Sequence, residues 1–214
     1  MTMLTPLLLL LSGYLLGSIP SGWLAGRWLA GLDIREHGSG STGATNVLRV
    51  LGKGPALAVF AVDVLKGTAA VLLAKALLSL PGAGVSWAVD SWVVAAGLAA
   101  LAGHIWPVWL GWKGGKAVAT GLGMLLGLTW PVGLACFGIF LTVLSLSRIV
   151  SLSSVVAALA LPLLMLAWFG SGGLRPAYLA LALLTTALVL WRHRANLQRL
   201  LEGTEPRLGE KRSG

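Results

Sequence analysis

The stretch AVATGLGMLLGLTWPVGLACFGIFLTVLSL, residues 117–146, decides how this chain is folded. It holds 30 residues and no charge, whereas one crossing of a hydrocarbon core about 30 Å thick takes about 20 residues. One long tilted helix accounts for it. So do two short helices turning at Trp130-Pro131, because proline interrupts the helical hydrogen-bond ladder.

The flanking sequence arbitrates. Met3 to Trp28, interrupted by Gly17-Ser-Ile-Pro-Ser-Gly22, reads as a first span, and Ala56 to Leu80, Trp87 to Leu101, Ser151 to Phe169 and Pro176 to Trp191 read as others. Cationic loop residues are retained on the cytoplasmic side. With two helices in 117–146 the chain has seven spans and an outside N-terminus, and 13 cations from Arg27 to Arg212 lie inside against Arg175 alone outside. With one helix the distribution is 7 to 7. The expected fold is therefore an all-α integral membrane protein, a seven-transmembrane-helix bundle with its C-terminus cytoplasmic.

Composition agrees, with 57% hydrophobic and 11% charged residues and a mean hydropathy of +0.86. No polar stretch between spans is long enough for a second domain, so residues 1–214 are expected to form a single polytopic domain. The sole cysteine, Cys136, sits in an apolar run and excludes a disulfide framework or cysteine metal site. The first span lacks a basic n-region and a cleavage pattern, so it reads as retained in a plasma-type membrane. The net charge of +9 flanks the spans, where it serves topology and anionic lipids or substrates and not nucleic acid. The ten tryptophans, many near span ends, read as interfacial belts.

This topology collects the polar stretches on one face. In the first, Gly38-Ser-Gly-Ser-Thr-Gly-Ala-Thr-Asn-Val-Leu-Arg49, glycines free backbone N–H groups to face an anion, Ser39, Thr45 and Asn46 add polar side chains, and Arg49 can grip a phosphate bidentately. In the second, Lys113 and Lys116 flank Gly114 and Gly115 ahead of a span. In the last, His193 and Asn196 share a face of a helix leaving the membrane. Neither glycine loop is a nucleotide-triphosphate loop, since Ala44 stands where the lysine would be and Gly115-Lys116 lacks the upstream glycine. No metal-ligand spacing and no nucleophile with an orienting carboxylate are present, so neither metal nor cofactor is expected. Asp63 and Lys66, three apart within a span, read as a structural pair.

Gly38–Arg49, Gly103-His-Ile-Trp-Pro-Val-Trp-Leu-Gly-Trp-Lys-Gly-Gly-Lys-Ala-Val-Ala-Thr120 and Arg192-His-Arg-Ala-Asn-Leu-Gln-Arg-Leu-Leu-Glu-Gly-Thr-Glu205 together resemble the bacterial acyl-phosphate glycerol-3-phosphate acyltransferase family, PlsY. Gly17–Gly22 and Val150-Ser-Leu-Ser-Ser154 resemble it too. The resemblance implies an inner-membrane enzyme with its active face toward the cytosol. It would move a fatty acyl group from acyl phosphate to the 1-hydroxyl of sn-glycerol 3-phosphate, the first acylation of phospholipid synthesis. It further implies a site built from loops at about 31–55, 103–120, 147–154 and 191–206, with Ser39, Lys116, His193 and Asn196 in catalysis. Arg49, Gly114, Gly115 and Ser154 would bind substrate and Glu205 would be structural, while the loop chemistry by itself adds Gly43, Thr45, Asn46 and Lys113 as candidate substrate contacts. Two departures stand out: Ser41-Thr42 replaces an asparagine and a small or apolar residue, and Ala117 replaces a glycine.

The residue chemistry accords with this activity. An acyl phosphate carries its own leaving group, so direct attack without an acyl-enzyme suffices. The protein must hold two anions together and manage one proton, which passes to His193 or to a substrate phosphate oxygen. The His-x4-Asp signature of another glycerolipid acyltransferase class is absent, because Thr42, Trp109 and Gln198 stand where its aspartate would follow His37, His104 and His193. A phosphate or organophosphate transporter and a lipid-binding scaffold are the alternatives, although the chain shows no repeated halves.

Overall fold

The computed structural model describes residues 4–79, 86–170, 172–173 and 175–210. Ten α-helices follow one another: α1 (Leu4–Gly17), α2 (Ser21–Ala30), α3 (Ala44–Leu51), α4 (Lys53–Leu78), α5 (Ser86–Ile105), α6 (Val118–Leu128), α7 (Trp130–Ser147), α8 (Val150–Phe169), α9 (Pro176–Arg192) and α10 (Arg194–Leu201). Single 3-10 turns lie at Ile34–Glu36 and Val108–Leu110. Among the described residues there is no strand. Thr5–Ala30, Lys53–Leu78, Val89–Leu110, Trp130–Ser147 and Val150–Phe169 are long and apolar enough to cross a membrane, which makes this an all-α, multi-span membrane protein. The expected span limits Met3 and Leu80 and the tail cations Lys211 and Arg212 lie outside the described residues.

Residues 117–146 form two helices, as the charge asymmetry requires. The break falls at Thr129, in extended conformation with φ −152°, and not at Trp130-Pro131. Those two residues instead open α7, where proline's missing N–H interrupts no bond. At 11 residues α6 rises only about 16 Å, roughly half a hydrocarbon core. Its last carbonyls are satisfied from α4, where the Lys75 ammonium donates to Gly127 at 2.7 Å and Leu128 at 3.0 Å.

The chain divides into two compact units, Met1–Trp130 and Pro131–Gly214. In the first, α1 packs on α5 and α4 packs on α6. Small residues let the backbones touch. A Cβ at Gly17 would strike the Ala100 carbonyl, and one at Gly123 would strike that of Val64. Gly13, Gly17, Gly123 and Gly127 thus serve helix contacts, whereas Gly22 and Gly26 admit the Thr42 and Leu32–Ile34 backbone. The interruption between α1 and α2 is held by α4: Lys66 donates to the Ile19 carbonyl at 2.9 Å, and Ser21 donates to Asp63 at 2.7 Å. Lys66 and Asp63 pair at 2.8 Å, as their spacing indicates.

In the second unit α8 packs on α9, and α10 rests on both. Pro162 inside α8 has no N–H for the carbonyl of Ala158. Thr186 of α9 supplies the missing donor, its hydroxyl lying 2.6 Å from that oxygen.

Candidate active site

The first polar loop is organised around Asn46, which is 1% exposed. Its carboxamide oxygen accepts the Ser39 N–H at 2.7 Å, and its nitrogen donates to the carbonyls of Ile34, His37 and Ser41 at 2.9–3.0 Å. Asn46 therefore holds the loop's shape. Gly38 and Gly40 adopt positive φ of 60° and 69°, the freedom the sequence calls for. Gly43 caps α3 in extended conformation, and its N–H turns back to the Ser41 hydroxyl at 3.3 Å, so it too shapes the loop. Beyond it the N–H groups of Ala44 and Thr45 have no partner among the described residues and form an anion-ready helix start. Thr45 and Arg49 lie one turn apart on α3, Arg49 exposed, and the Ser39 side chain is exposed beside the turn.

The second loop folds back on the end of α5. The N–H of Gly114 donates to the Ile105 carbonyl at 3.0 Å and that of Gly115 to the His104 carbonyl at 3.1 Å. Both N–H groups are thus engaged by the α5 end in this structure. The glycines are needed because a Cβ at Gly114 would strike the His104 carbonyl and Pro107, and one at Gly115 would strike the His104 ring. Lys113 is exposed and Lys116 half-buried. Ala117 sits in left-handed conformation at φ 59°, which accounts physically for the glycine that the resemblance places there.

In the second unit His193 is 3% exposed at the junction of α9 and α10. Its Nδ1 lies 2.8 Å from the Val189 carbonyl. A carbonyl only accepts, so Nδ1 carries a hydrogen, and in the neutral form of the ring Nε2 holds the lone pair. Glu205 ties this corner together, accepting from Ser151 at 2.7 Å, Asn196 at 2.6 Å and Arg199 at 2.7 Å. Burial pushes the Glu205 carboxyl up, but the three donors outweigh it and hold the group below the ordinary carboxylate range. Ser154 is buried, and its hydroxyl donates to the Val150 carbonyl at 2.8 Å. The imidazole of His193 and the carboxamide of Asn196 thus share one turn of structure with a fixed scaffold beneath them.

The sequence reading passed over Asp33. Its carboxylate receives Arg35 at 3.0 and 2.7 Å and the Trp23 indole at 3.1 Å, and the same guanidinium donates to the Leu110 carbonyl at 2.9 Å. One arginine thereby ties the first loop to the second. The Arg35 hydrogen bond holds the Asp33 carboxyl well below the usual carboxylate range. The only hint in the sequence is the Asp33-x-Arg35 spacing, too common to single out.

Residues 7–203 match the family model described as glycerol-3-phosphate acyltransferase. The chain is 73% identical over 204 residues to the glycerol-3-phosphate acyltransferase of Prochlorococcus marinus (strain MIT 9313), covering 95% of each protein. It is 67% identical over 210 residues to that of Synechococcus sp. (strain CC9902), covering 98% of each. Among solved structures it is similar to the crystal structure of PlsY, an integral membrane glycerol 3-phosphate acyltransferase, in its glycerol 3-phosphate form. The TM-score is 0.83 at 39% identity, covering 95% of this chain and 96% of that one. The lysophosphatidic acid form of PlsY matches with a TM-score of 0.80 at 38% identity, covering 95% of each.

Proposed function

The chain belongs to the glycerol-3-phosphate acyltransferase family, and from that premise we propose how its own residues carry the reaction. The enzyme transfers a fatty acyl group from acyl phosphate to the 1-hydroxyl of sn-glycerol 3-phosphate, releasing lysophosphatidic acid and inorganic phosphate. The glycerol oxygen bonds to the acyl carbon, the bond from that carbon to the phosphate oxygen breaks, and the hydroxyl proton ends on phosphate. The mixed anhydride is already activated, so the protein's work is to hold two anions and direct the hydroxyl. Arg49, Lys113 and Lys116 supply positive charge, and Ser39, Thr45 and the open start of α3 supply donors. By the same family resemblance Ser154 and Asn196, in the second unit, contact substrate.

The observation that carries this reading is the tautomer of His193 imposed by the Val189 carbonyl. Neutral Nε2 accepts the hydrogen bond of the attacking hydroxyl, aims its oxygen at the acyl carbon and takes the proton as the new C–O bond forms, and the proton then passes to the released phosphate. Phosphate release from acyl phosphate and glycerol 3-phosphate tests it. His193→Ala and Arg49→Ala should each lose most of the rate while folding normally, and wild-type turnover in both would reject these roles.

In the membrane, the reading is seven crossings with α6 and α9 the short ones, N-terminus outside and C-terminus cytoplasmic, in the bacterial inner membrane. Residues 1–214 then act as one catalytic domain with its polar loops on the cytosolic side. In a Cys136→Ser background, Lys53→Cys and Arg207→Cys should both resist an impermeant thiol reagent in intact cells and react in inverted vesicles. Labelling of either one from outside would overturn the topology.

A further inference from the structure

The role proposed for Lys116 leaves open what holds a cationic side chain in place when the loop before it consists of two glycines. We propose that His104 is a positioning residue for Lys116, acting through Gly115, and that the buried Asp63–Lys66 pair anchors it. This rests on Lys116 binding a substrate phosphate, as argued above.

His104 is 6% exposed at the end of α5 and meets the second loop in two ways. Its carbonyl accepts the Gly115 N–H at 3.1 Å. The Nε2 edge of its imidazole faces the same residue: a Cβ at Gly115 would clash with Nε2 and come within 3.0 and 3.1 Å of the neighbouring ring carbons. One residue thus fixes both backbone and open face of the glycine that immediately precedes Lys116. Glycine's wide backbone freedom makes such an external clamp necessary.

The imidazole is itself held from behind. Nδ1 lies 3.1 Å from the Thr120 hydroxyl on α6 and 3.6 Å from Asp63 on α4. Asp63 is pinned by Lys66 at 2.8 Å and Ser21 at 2.7 Å. The ring is therefore oriented by α2, α4 and α6 together, and a buried ion pair at membrane depth is an expensive feature to keep for packing alone. Its chemistry fits a rigid support better than a proton carrier, because the reaction needs no proton from this side of the loop.

The test is kinetic, on full-length enzyme in detergent or nanodiscs, with folding monitored by thermal melting. His104→Ala should raise KM for a phosphate-bearing substrate roughly ten-fold, the loss of about one charge-assisted contact, with kcat held within about two-fold. His104→Asn, which keeps a polar group at the Nδ1 side but not the ring, should show the same KM defect with wild-type melting. Gly115→Ala should lose most activity, and Gly115→Ala combined with His104→Ala should regain part of it, because the clash is gone. Lys116→Ala serves as reference. If it leaves KM unchanged, the reading of Lys116 fails. If it raises KM while His104→Ala and His104→Asn do not, or if the double variant is no better than Gly115→Ala, the positioning role is overturned.

Discussion

Removing Glu205 should unfasten the corner that carries His193 and Asn196. The carboxylate is 8% exposed and receives three donors at 2.6–2.7 Å. Bonds from buried Ser151 and Asn196 to an ionised acceptor contribute about 1.5–3 kcal/mol each. The Arg199 side chain is 41% exposed, so its pairing is discounted for solvent to about 0.5 kcal/mol. Glu205→Ala should then cost about 4 kcal/mol, a large share of a typical total of about 5–15 kcal/mol, and lower the melting temperature by about 10 °C. Glu205→Gln keeps an oxygen for Ser151 and Asn196 but turns an N–H toward Arg199, so its cost should be about 1–2 kcal/mol. The sign of the pH effect follows from the lowered Glu205 pKa. A depressed folded-state pKa adds stability at and above neutral pH, and that stability is lost as pH falls below the ordinary carboxylate range. Thermal melting from pH 7 down to about pH 2 should show wild type converging on Glu205→Gln in acid. Residual phosphate-release activity in Glu205→Ala should fall further than folding alone explains, because Asn196 loses its anchor. A Glu205→Ala melting temperature within about 2 °C of wild type at pH 7 would refute the reasoning.

Three further outcomes are expected. Ala117→Gly relieves a left-handed alanine, gaining about 1–2 kcal/mol of strain against about 0.4–1 kcal/mol of lost chain stiffness, and should raise the melting temperature slightly while keeping activity. Thr186→Val strands the Ala158 carbonyl beside Pro162 and should destabilise by about 1–2 kcal/mol, whereas Thr186→Ser should be close to wild type in the same melt. Asp63→Asn or Lys66→Met alone leaves a buried charge unpaired and should cost about 3–5 kcal/mol, while the double substitution should melt higher than either single one.

Much of this was readable from the chain. Hydropathy located the helices to within a few residues, and the division of residues 117–146 followed from the cations flanking it, because translocation sorts charge by loop. The turn was misplaced by one residue because proline is as acceptable in a helix's first turn as in a loop, and composition does not distinguish them. Gly114 and Gly115 illustrate a different limit. Two glycines between lysines suit an anion and suit a backbone packed on a histidine, and only the partner's position separates the two. Asn46 was recognised as polar and useful, but its four contacts with Ile34, His37, Ser39 and Ser41 depend on how a 3-10 turn folds beside α3.

Composition, hydrophobic run length, charge placement and the three polar blocks sufficed for a multi-span, all-α membrane protein of this acyltransferase family. These are local properties, written in each segment regardless of its neighbours. Packing alone revealed that Asp63 and Lys66 brace the break between α1 and α2, that Lys75 caps α6, that Thr186 repairs the gap left by Pro162, and that Asp33 and Arg35 link two loops. In an apolar interior every polar group needs a partner. Which partner it finds is set by residues tens of positions away, through the three-dimensional path of the chain.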